Sequence, residues 1–401
     1  MVWKWVFFVK ILKRNKLYLI IISMRTERKV IAVMMILTMW FSFASCDSEL
    51  TEDTASPEVV TPVDSVGNSG NDGNTKNENR PIIENQVFTE TATFYGHEND
   101  SLVIRNCTFE NINGEGLILG DVDEVIVEDC TFRNITGNAV RFATTRTSNN
   151  IRIENNEIYD IDNCGILTQE GHVHVNILNN RIYRVALNAE KGPHGIYLIG
   201  KDFLVEGNTI HDVGSGPAAG ITTRTYGKIS RNKIYNVTGS GIDYSSDHPG
   251  YGGKLLIENN IIYDNDRKGI HLMGGPADSK IGSAIIRFNT VLSNNDEMAV
   301  WVDSGYYMDA TFEVYGNILI NTSGAENYLF VSPQHALDFE GYNLTGTKDM
   351  GFVDFEGRNL HITSTSDAVN YVDGATDYPE YDFDGSDLRE QVSQDAGADE
   401  I

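Results

Sequence analysis

Cysteine is scarce: four residues in a chain of 401 cannot staple a scaffold of this size, and none forms a CxxC pair or a Cys/His set with zinc spacing. Stability therefore has to come from packing. Basic charge is scarce too, with 31 Lys and Arg against 57 Asp and Glu, a formal charge of −26. Without a basic excess nothing displaces counterions from phosphate, so a general nucleic-acid binder is excluded and no nucleic-acid partner is expected. The 37 glycines are too many for a helical bundle. What is present is 41% hydrophobic residues, enough for a large core in a turn-rich globular domain.

Residues 1–45 read as a targeting segment. Arg25, Arg28 and Lys29 form a basic start, Val30 to Phe43 are almost all apolar, and Ala44, Ser45 and Cys46 follow. This resembles a bacterial lipoprotein signal in which Cys46 becomes the lipidated first residue, although Phe43 stands where Leu is usual. The competing reading is an N-terminal membrane anchor, because Trp5 to Ile22 form a second apolar stretch broken by Lys10, Lys13, Arg14 and Lys16. A true start at Met24 would leave that stretch untranslated. Residues 46–80 have few large apolar side chains and read as a flexible acidic tether. Asp47, Glu49, Glu52 and Asp53, directly after Cys46, resemble the surface-export signals of Bacteroidetes lipoproteins and imply a lipid anchor at the outer membrane, on the cell surface. Without residues 1–45, 23 basic residues face 56 acidic ones and the charge deepens to −33.

From Ser101 onward one phrase recurs: an extended apolar segment, a polar pair, then Asn or Cys with an apolar residue two positions on. It reads IRNCTF, VEDCTF, IENNEI, ILNNRI, VEGNTI, ISRNKI, IENNII, IRFNTV and VYGNIL, anchored at Cys107, Cys130, Asn156, Asn180, Asn208, Asn232, Asn260, Asn289 and Asn317, with Asn343 as a tenth position. Spacings of 23 to 29 residues, filled by short β-type segments, signal a β-solenoid. Leucine-rich repeats would need a Leu-rich consensus and a helical return, and both are missing. An inward Asn at a bend hydrogen-bonds its equivalents above and below, so the column predicts an asparagine ladder. Cys107 and Cys130 take the same place as small buried apolar residues, with a disulfide between them as the alternative.

These residues resemble the right-handed parallel β-helix proteins, the pectin lyase superfamily that includes alginate lyases and chondroitinase B-like enzymes. The resemblance runs from Val87 to the C-terminus. It implies an all-β, single-stranded right-handed parallel β-helix of about ten coils over residues 81–350. The tail, 351–401, with FVDFEGRNLHITSTSDAV, DFDGSDLR and the terminal DAGADE, is similar to the closing segment of secreted β-helix proteins and implies a cap over the last coil's open edge. Asp382, Asp384 and Asp387 suggest a calcium loop, but Gly385 is misplaced for the EF-hand pattern.

A second strand per coil follows a small residue: EGLILG, NAVRFA, CGILTQ, HGIYLI, AGITTR, SGIDYS, KGIHLM, MAVWVD and NYLFVS. Alternation puts Leu117, Val140, Ile166, Ile196, Ile221, Ile242, Ile270, Val300 and Leu329 in the core. The adjacent column, expected to face solvent, is Ile118, Arg141, Leu167, Tyr197, Thr222, Asp243, His271, Trp301 and Phe330. The next outward column brings Gln169, Arg224 and Asp303. Asp243 and His271 are expected neighbours, with Arg224 diagonal to Asp243 and long enough to reach it. Aromatic faces stack on sugar rings while Arg and carboxylates address their hydroxyl and carboxylate groups, so the stripe suits an extended saccharide. An imidazole oriented by a carboxylate is also a credible acid or base near neutral pH. His194 and Lys268 stand at the groove's edge. Asp247 and His248, in SSDHPGYGG, either overhang it or decorate a turn. His172 and His174 read as structural.

The leading expectation is a polysaccharide lyase cleaving a uronate-containing glycan by β-elimination, with catalytic candidates His271, Asp243, Arg224, Tyr197 and Lys268. Trp301, Asp303, Arg141, Gln169, His194 and His248 would bind substrate. Arg224 or Lys268 would neutralise the uronate carboxylate, His271 would take the adjacent proton, and Tyr197 would protonate the leaving oxygen. The superfamily's calcium-ligand cluster and Lys/Arg pair cannot be traced here, so Ca2+ is the candidate ion with no assigned ligands. A glycoside hydrolase using Asp243 with Asp303 or Asp247, and a non-catalytic glycan-binding or structural lipoprotein, remain open. A monomer is expected.

Overall fold

A computed structural model describes residues 81–401 apart from 97–100, 189–191, 215, 246–252, 274–281, 295–297, 304–310, 332–336, 374–376 and 388–392, together with two N-terminal strands. The chain divides into two units, Met1–Thr54 and Ala55–Ile401. In the first, Val6–Lys13 pairs antiparallel with Lys16–Ser23. Cys46, the basic start and the tether lie outside the described residues, as do Asp247 and His248. Among the described residues no helix is long and apolar enough to cross a membrane.

The second unit is a solenoid of three parallel sheets with eleven, eleven and ten strands. Sheet 1 runs from Ile82–Glu84 to Phe339–Gly341, sheet 2 from Val87–Phe88 to Leu344–Gly346, and sheet 3 from Ala92–Tyr95 to Leu329–Val331. Ten coils contribute one strand to each sheet, and an eleventh adds Phe339–Gly341 and Leu344–Gly346 to sheets 1 and 2 alone.

The bend between sheets 1 and 2 shows why the phrase repeats. The residue before each anchor takes a left-handed conformation, from Asn106 (φ 51°) and Asp129 (52°) through Asn155 (55°) and Asn179 (54°) to Tyr342 (54°). Asn and Asp tolerate that region best among residues with a Cβ, so a polar residue usually sits there. The chain then turns the anchor side chain inward. From Asn156 to Asn343 each side-chain amide donates to the next Asn Oδ1, at 2.8 to 3.0 Å. Each Oδ1 also accepts the backbone N–H of the anchor one coil earlier, as Asn232 does from Asn208 at 3.0 Å. A second donation goes to a core-strand carbonyl, as from Asn232 to Val205 at 2.9 Å. Both polar atoms of a fully buried amide are thereby satisfied. Cys107 and Cys130 are buried thiols without a disulfide; the Cys107 N–H approaches the Cys130 sulfur at 3.4 Å, and the Cys130 N–H donates to Asn156 Oδ1 at 2.9 Å.

Inside, the inward columns are stacks of like residues. Leu117, Val140, Ile166, Ile196, Ile221, Ile242, Ile270 and Val300 are fully buried, as expected. The first coils widen the core with Phe109 on Phe132, rings 4.5 Å apart and 4° from parallel.

The tail folds into two short antiparallel pairs, Phe352–Asp354 with Asn359–Ile362 and Val372–Asp373 with Ser393–Gln394. Its buried side chains, among them Phe352, Leu360 and Ala398, pack on outward residues of three coils, including Ile261, Tyr263, Phe288, Leu292, Tyr315 and Ile318. The described tail thus lies along the flank of the solenoid, and Phe339, in the last strand of sheet 1, stays 42% exposed. The closing motif is read by backbone. Asp395 accepts the N–H groups of Asn370 and Ile401, Glu400 that of Asp395, and Asp399 that of Ile362. Gly397 (φ 94°) leaves no room for a side chain, because a Cβ would lie 2.7 Å from Thr290 Oγ1 and Ile318 Cδ1.

Replacing Asn232 with Ala removes the acceptor of the Asn208 N–H and side-chain amide, leaving buried donors unpaired. The expected loss is about 3 kcal/mol, at one to three per unsatisfied group. Urea denaturation followed by circular dichroism measures it, and an unchanged midpoint would show that the ladder contributes no net stability.

Candidate functional site

Sheet 3 presents the candidate groove. Its strands start from a column of small residues because the turns stack closely: a Cβ on Gly195 would sit 2.4 Å from the Gly220 carbonyl oxygen. The next residue enters the core and the one after it faces away. Ile118, Arg141, Leu167, Tyr197, Thr222, Asp243, His271, Trp301 and Phe330 are consecutive cross-strand partners, as the spacing predicts.

Facing away from the core is not the same as facing water, and here the expectation needs correction. Tyr197 is 4% exposed, Thr222 3%, and Arg224 and Asp243 8% each. Part of the cover comes from neighbouring side chains. The His194 ring stands edge-on to Tyr197 at 5.3 Å, and the Arg224 guanidinium lies over the same ring at 5.4 Å. Arg224 is therefore drawn toward Tyr197, two strands before Asp243.

Asp243 and His271 do meet. Their Oδ1 and Nδ1 atoms are 3.6 Å apart, within ion-pair range and longer than a hydrogen bond. Asp243 Oδ1 is buried and has no hydrogen-bond partner among the described residues. A buried carboxylate oxygen in that state lacks a donor, and a ligand hydroxyl or the imidazole N–H drawn closer would supply one.

His194 has a different chemistry from His271. Its Nδ1 accepts the Ala219 N–H at 3.0 Å, so in the neutral ring the proton sits on Nε2. Burial pushes its pKa down to about 4; the Asp243 charge opposes this and the Arg224 charge reinforces it. At neutral pH His194 is thus an uncharged donor through Nε2.

The aromatic end of the stripe lies beyond His271. Trp301 has the His271 ring edge-on at 6.4 Å and Phe330 at 4.4 Å, tilted by 36°. The Lys268 ammonium is 4.8 Å from the centre of the Trp301 ring. Trp301 is half-buried and flanked by Lys268 and Phe330, and the ammonium adds a positive charge there. Asp303 continues the same strand two residues on, its N–H bonded to Leu272 at 2.8 Å.

Arg141 and Gln169 are not part of this cluster. Arg141 lies four strands from Asp243 in register, with its guanidinium toward Glu115 at 3.6 Å, and Gln169 is half-buried beside the intervening strands. His172 is fully buried with its Nε2 on the Ala143 carbonyl at 3.1 Å, the structural role expected for it. Exposed His174 contacts Asn149 at 2.6 Å and Asp202 at 3.1 Å. Among the described residues, sheet 3 carries no set of three His, Cys, Asp or Glu side chains close enough to share one ion. Asp382, of the suspected calcium loop, instead closes its turn by accepting the Ser386 N–H at 2.6 Å.

Sequence reasoning passed over one column entirely. On the outer face of sheet 2, Tyr159, Tyr183, His211, Tyr235 and Tyr263 stack at 4.8 to 5.1 Å, within 11° of parallel. The signal was present, since each ring stands three residues after its ladder asparagine. His211 Nδ1 also lies 2.8 Å from Asp212 Oδ2, while its buried Nε2 has no hydrogen-bond partner among the described residues.

Comparison with known proteins agrees with this architecture. Residues 64–182 and 142–328 match the family described as right handed beta helix region. Two solved structures align with much of the chain. One is titled the complex structure of XylC with xylose, with 14% identity, a TM-score of 0.44, and 76% of this chain and 67% of that one covered. The other is pectate lyase Pel9A, with 13% identity, a TM-score of 0.44, and 77% and 82% covered. No curated protein matches the sequence.

His194 should titrate near pH 4 instead of the usual 6.5. Because its folded pKa is lowered, the stability it contributes is complete above about pH 6.5 and is lost as pH falls toward 4. Histidine-labelled NMR, assigned with His194→Gln, checks both the pKa and the Nε2–H tautomer; a midpoint near 6.5 would contradict the burial argument.

Proposed function

The chain belongs to the right-handed beta helix family, a scaffold that does not itself fix a chemistry, and from its sheet 3 groove we propose a protein that acts on polysaccharide, as a lyase of uronate-containing glycans. The observation that carries the reading is Asp243, buried with an unsatisfied Oδ1 beside His271.

In β-elimination a base removes the proton next to the uronate carboxylate, the carboxylate is held by donors as charge builds on it, and the leaving oxygen is protonated. With Nδ1 directed at Asp243, His271 keeps the Nε2 lone pair for the proton. The ion-pair distance of 3.6 Å is one that closes on substrate binding. His194, uncharged and donating through Nε2, and the Arg224 guanidinium are the donors for the carboxylate. Tyr197, beneath Arg224, is the group assigned to the leaving oxygen. Lys268 at Trp301 meets an acidic sugar one coil beyond. Hydrolysis is the weaker reading. Asp243 and Asp303 are two strands apart, about 12 Å between Cα atoms by strand spacing and rise, against about 5 to 9.5 Å between the carboxyl groups of paired glycosidase acids.

Incubation with alginate, pectins and glycosaminoglycans should give the ultraviolet absorbance of an unsaturated uronide with one of them. His271→Ala should reduce the rate about 10²- to 10⁴-fold, the range for a lost acid–base group, while Asp243→Asn should lower kcat with little change in KM. Flat traces with retained glycan binding in both proteins would favour a binding module, and reducing ends without unsaturation would favour hydrolysis.

We further propose that Cys46 is lipidated after cleavage of residues 1–45 and that the acidic chain stands on the outer surface of the cell. What supports this is the apolar run ending in Ala44-Ser45-Cys46 and the acidic residues that follow. Labelled palmitate should enter the protein and be lost in Cys46→Ala; label retained in that variant would count against it.

A further inference from the structure

We propose that the tail carries a divalent-metal site built from His361, Asp384 and Asp399, separate from the sheet 3 groove. Among the described residues this is the one set of three whose ligand atoms all lie within 4.8 Å of one another. The residues come from three separate pieces of the tail: the strand Asn359–Ile362, the turn closed by Asp382, and the terminal motif.

A second observation points to a cation. His361 Nδ1 lies 2.6 Å from Asn359 Oδ1, an oxygen that only accepts. In the neutral ring the proton is therefore on Nδ1, and Nε2 presents a lone pair. That lone pair faces both Asp384 oxygens, at 3.4 and 3.3 Å. Asp399, 6% exposed, is fixed by the Ile362 N–H on its Oδ2 at 2.7 Å. With the ring neutral, Nε2 and the two carboxylates converge as acceptors, and a positive charge between them, from a metal ion or from a second proton on the ring, relieves the contact. A metal-bound imidazole usually donates its other N–H to an oxygen, as His361 does to Asn359.

The donor set selects the ion. One imidazole with two carboxylates suits zinc-type N/O coordination better than calcium, which takes oxygen ligands. With metal–ligand bonds of about 2.0 to 2.2 Å, tetrahedral donors stand about 3.4 Å apart, and the His361–Asp384 separation already matches. Asp384 is the exposed ligand, with a side-chain accessibility of 57%, so an ion has an entry path and water completes its shell. Bound there, the ion would pin the last residues of the chain to the preceding hairpin.

The test uses the full chain, stripped with EDTA and held at about pH 7.5. Calorimetric titration with Zn2+ should show one ion per chain. Zn2+ at about a hundred times Kd should raise the unfolding midpoint by about 5 °C. Asp384→Asn and His361→Gln should keep the metal-free midpoint and lose the Zn2+ response. A Zn2+ response retained in both variants, a larger response to Ca2+ than to Zn2+, or a His361–Asp384 pair that responds to pH but to no metal would each overturn the proposal. Asp384→Asn changes an exposed side chain, so a folded variant remains for the comparison if His361→Gln fails to fold.

Discussion

The structure depends on one interaction repeated up its axis: a buried asparagine amide that donates to the next asparagine and accepts from the backbone of the last. A parallel solenoid has no hairpin to set its register, and a slip by one residue would exchange core and outer faces throughout. The ladder prevents this because its bonds form only when equivalent bends stack directly. The left-handed residue before each anchor aims the amide inward, and at Arg231, Phe288 and Tyr342 it does so with residues poorly suited to that conformation. The ladder and the core strands hold the bend there against that local cost.

Function inherits this register. Asp243, His271 and Trp301 are 28 and 30 residues apart in sequence, yet they become nearest neighbours because three coils stack in step. Loops of different length between strands change what lies beside the groove without moving the column itself. A chemical site on such a scaffold is a set of substitutions along a lattice, so its members can be counted off from the repeat.

That explains how much could be read from sequence. The period, the ladder, the inward column and the Asp243–His271 contact follow from alternation and stacking alone. What alternation cannot state is how deeply a residue is covered, because cover depends on side-chain direction. Arg224 turned toward Tyr197, His194 settled against Ala219, and Lys268 came to rest by Trp301. The rings from Tyr159 to Tyr263 recur with the ladder's own spacing and went unnoticed because they carry no reactive group in common. Of the proposed tail site only Asp384 stood out in the sequence, within a suspected calcium loop, because no repeat places His361 and Asp399 beside it.

The tail also changes how the molecule comes apart. In a solenoid each coil touches only its neighbours, so stability is close to a sum of local terms and fraying can begin at either end. By packing across the consecutive coils of Asn260, Asn289 and Asn317, with Arg358 on Asp264 and Asp377 on Arg287, the tail links the Asn260 and Asn317 coils, which do not pair with each other directly. The C-terminal third thereby becomes one cooperative block, while the first coils, where thiols replace the amide ladder, form the end from which unfolding starts.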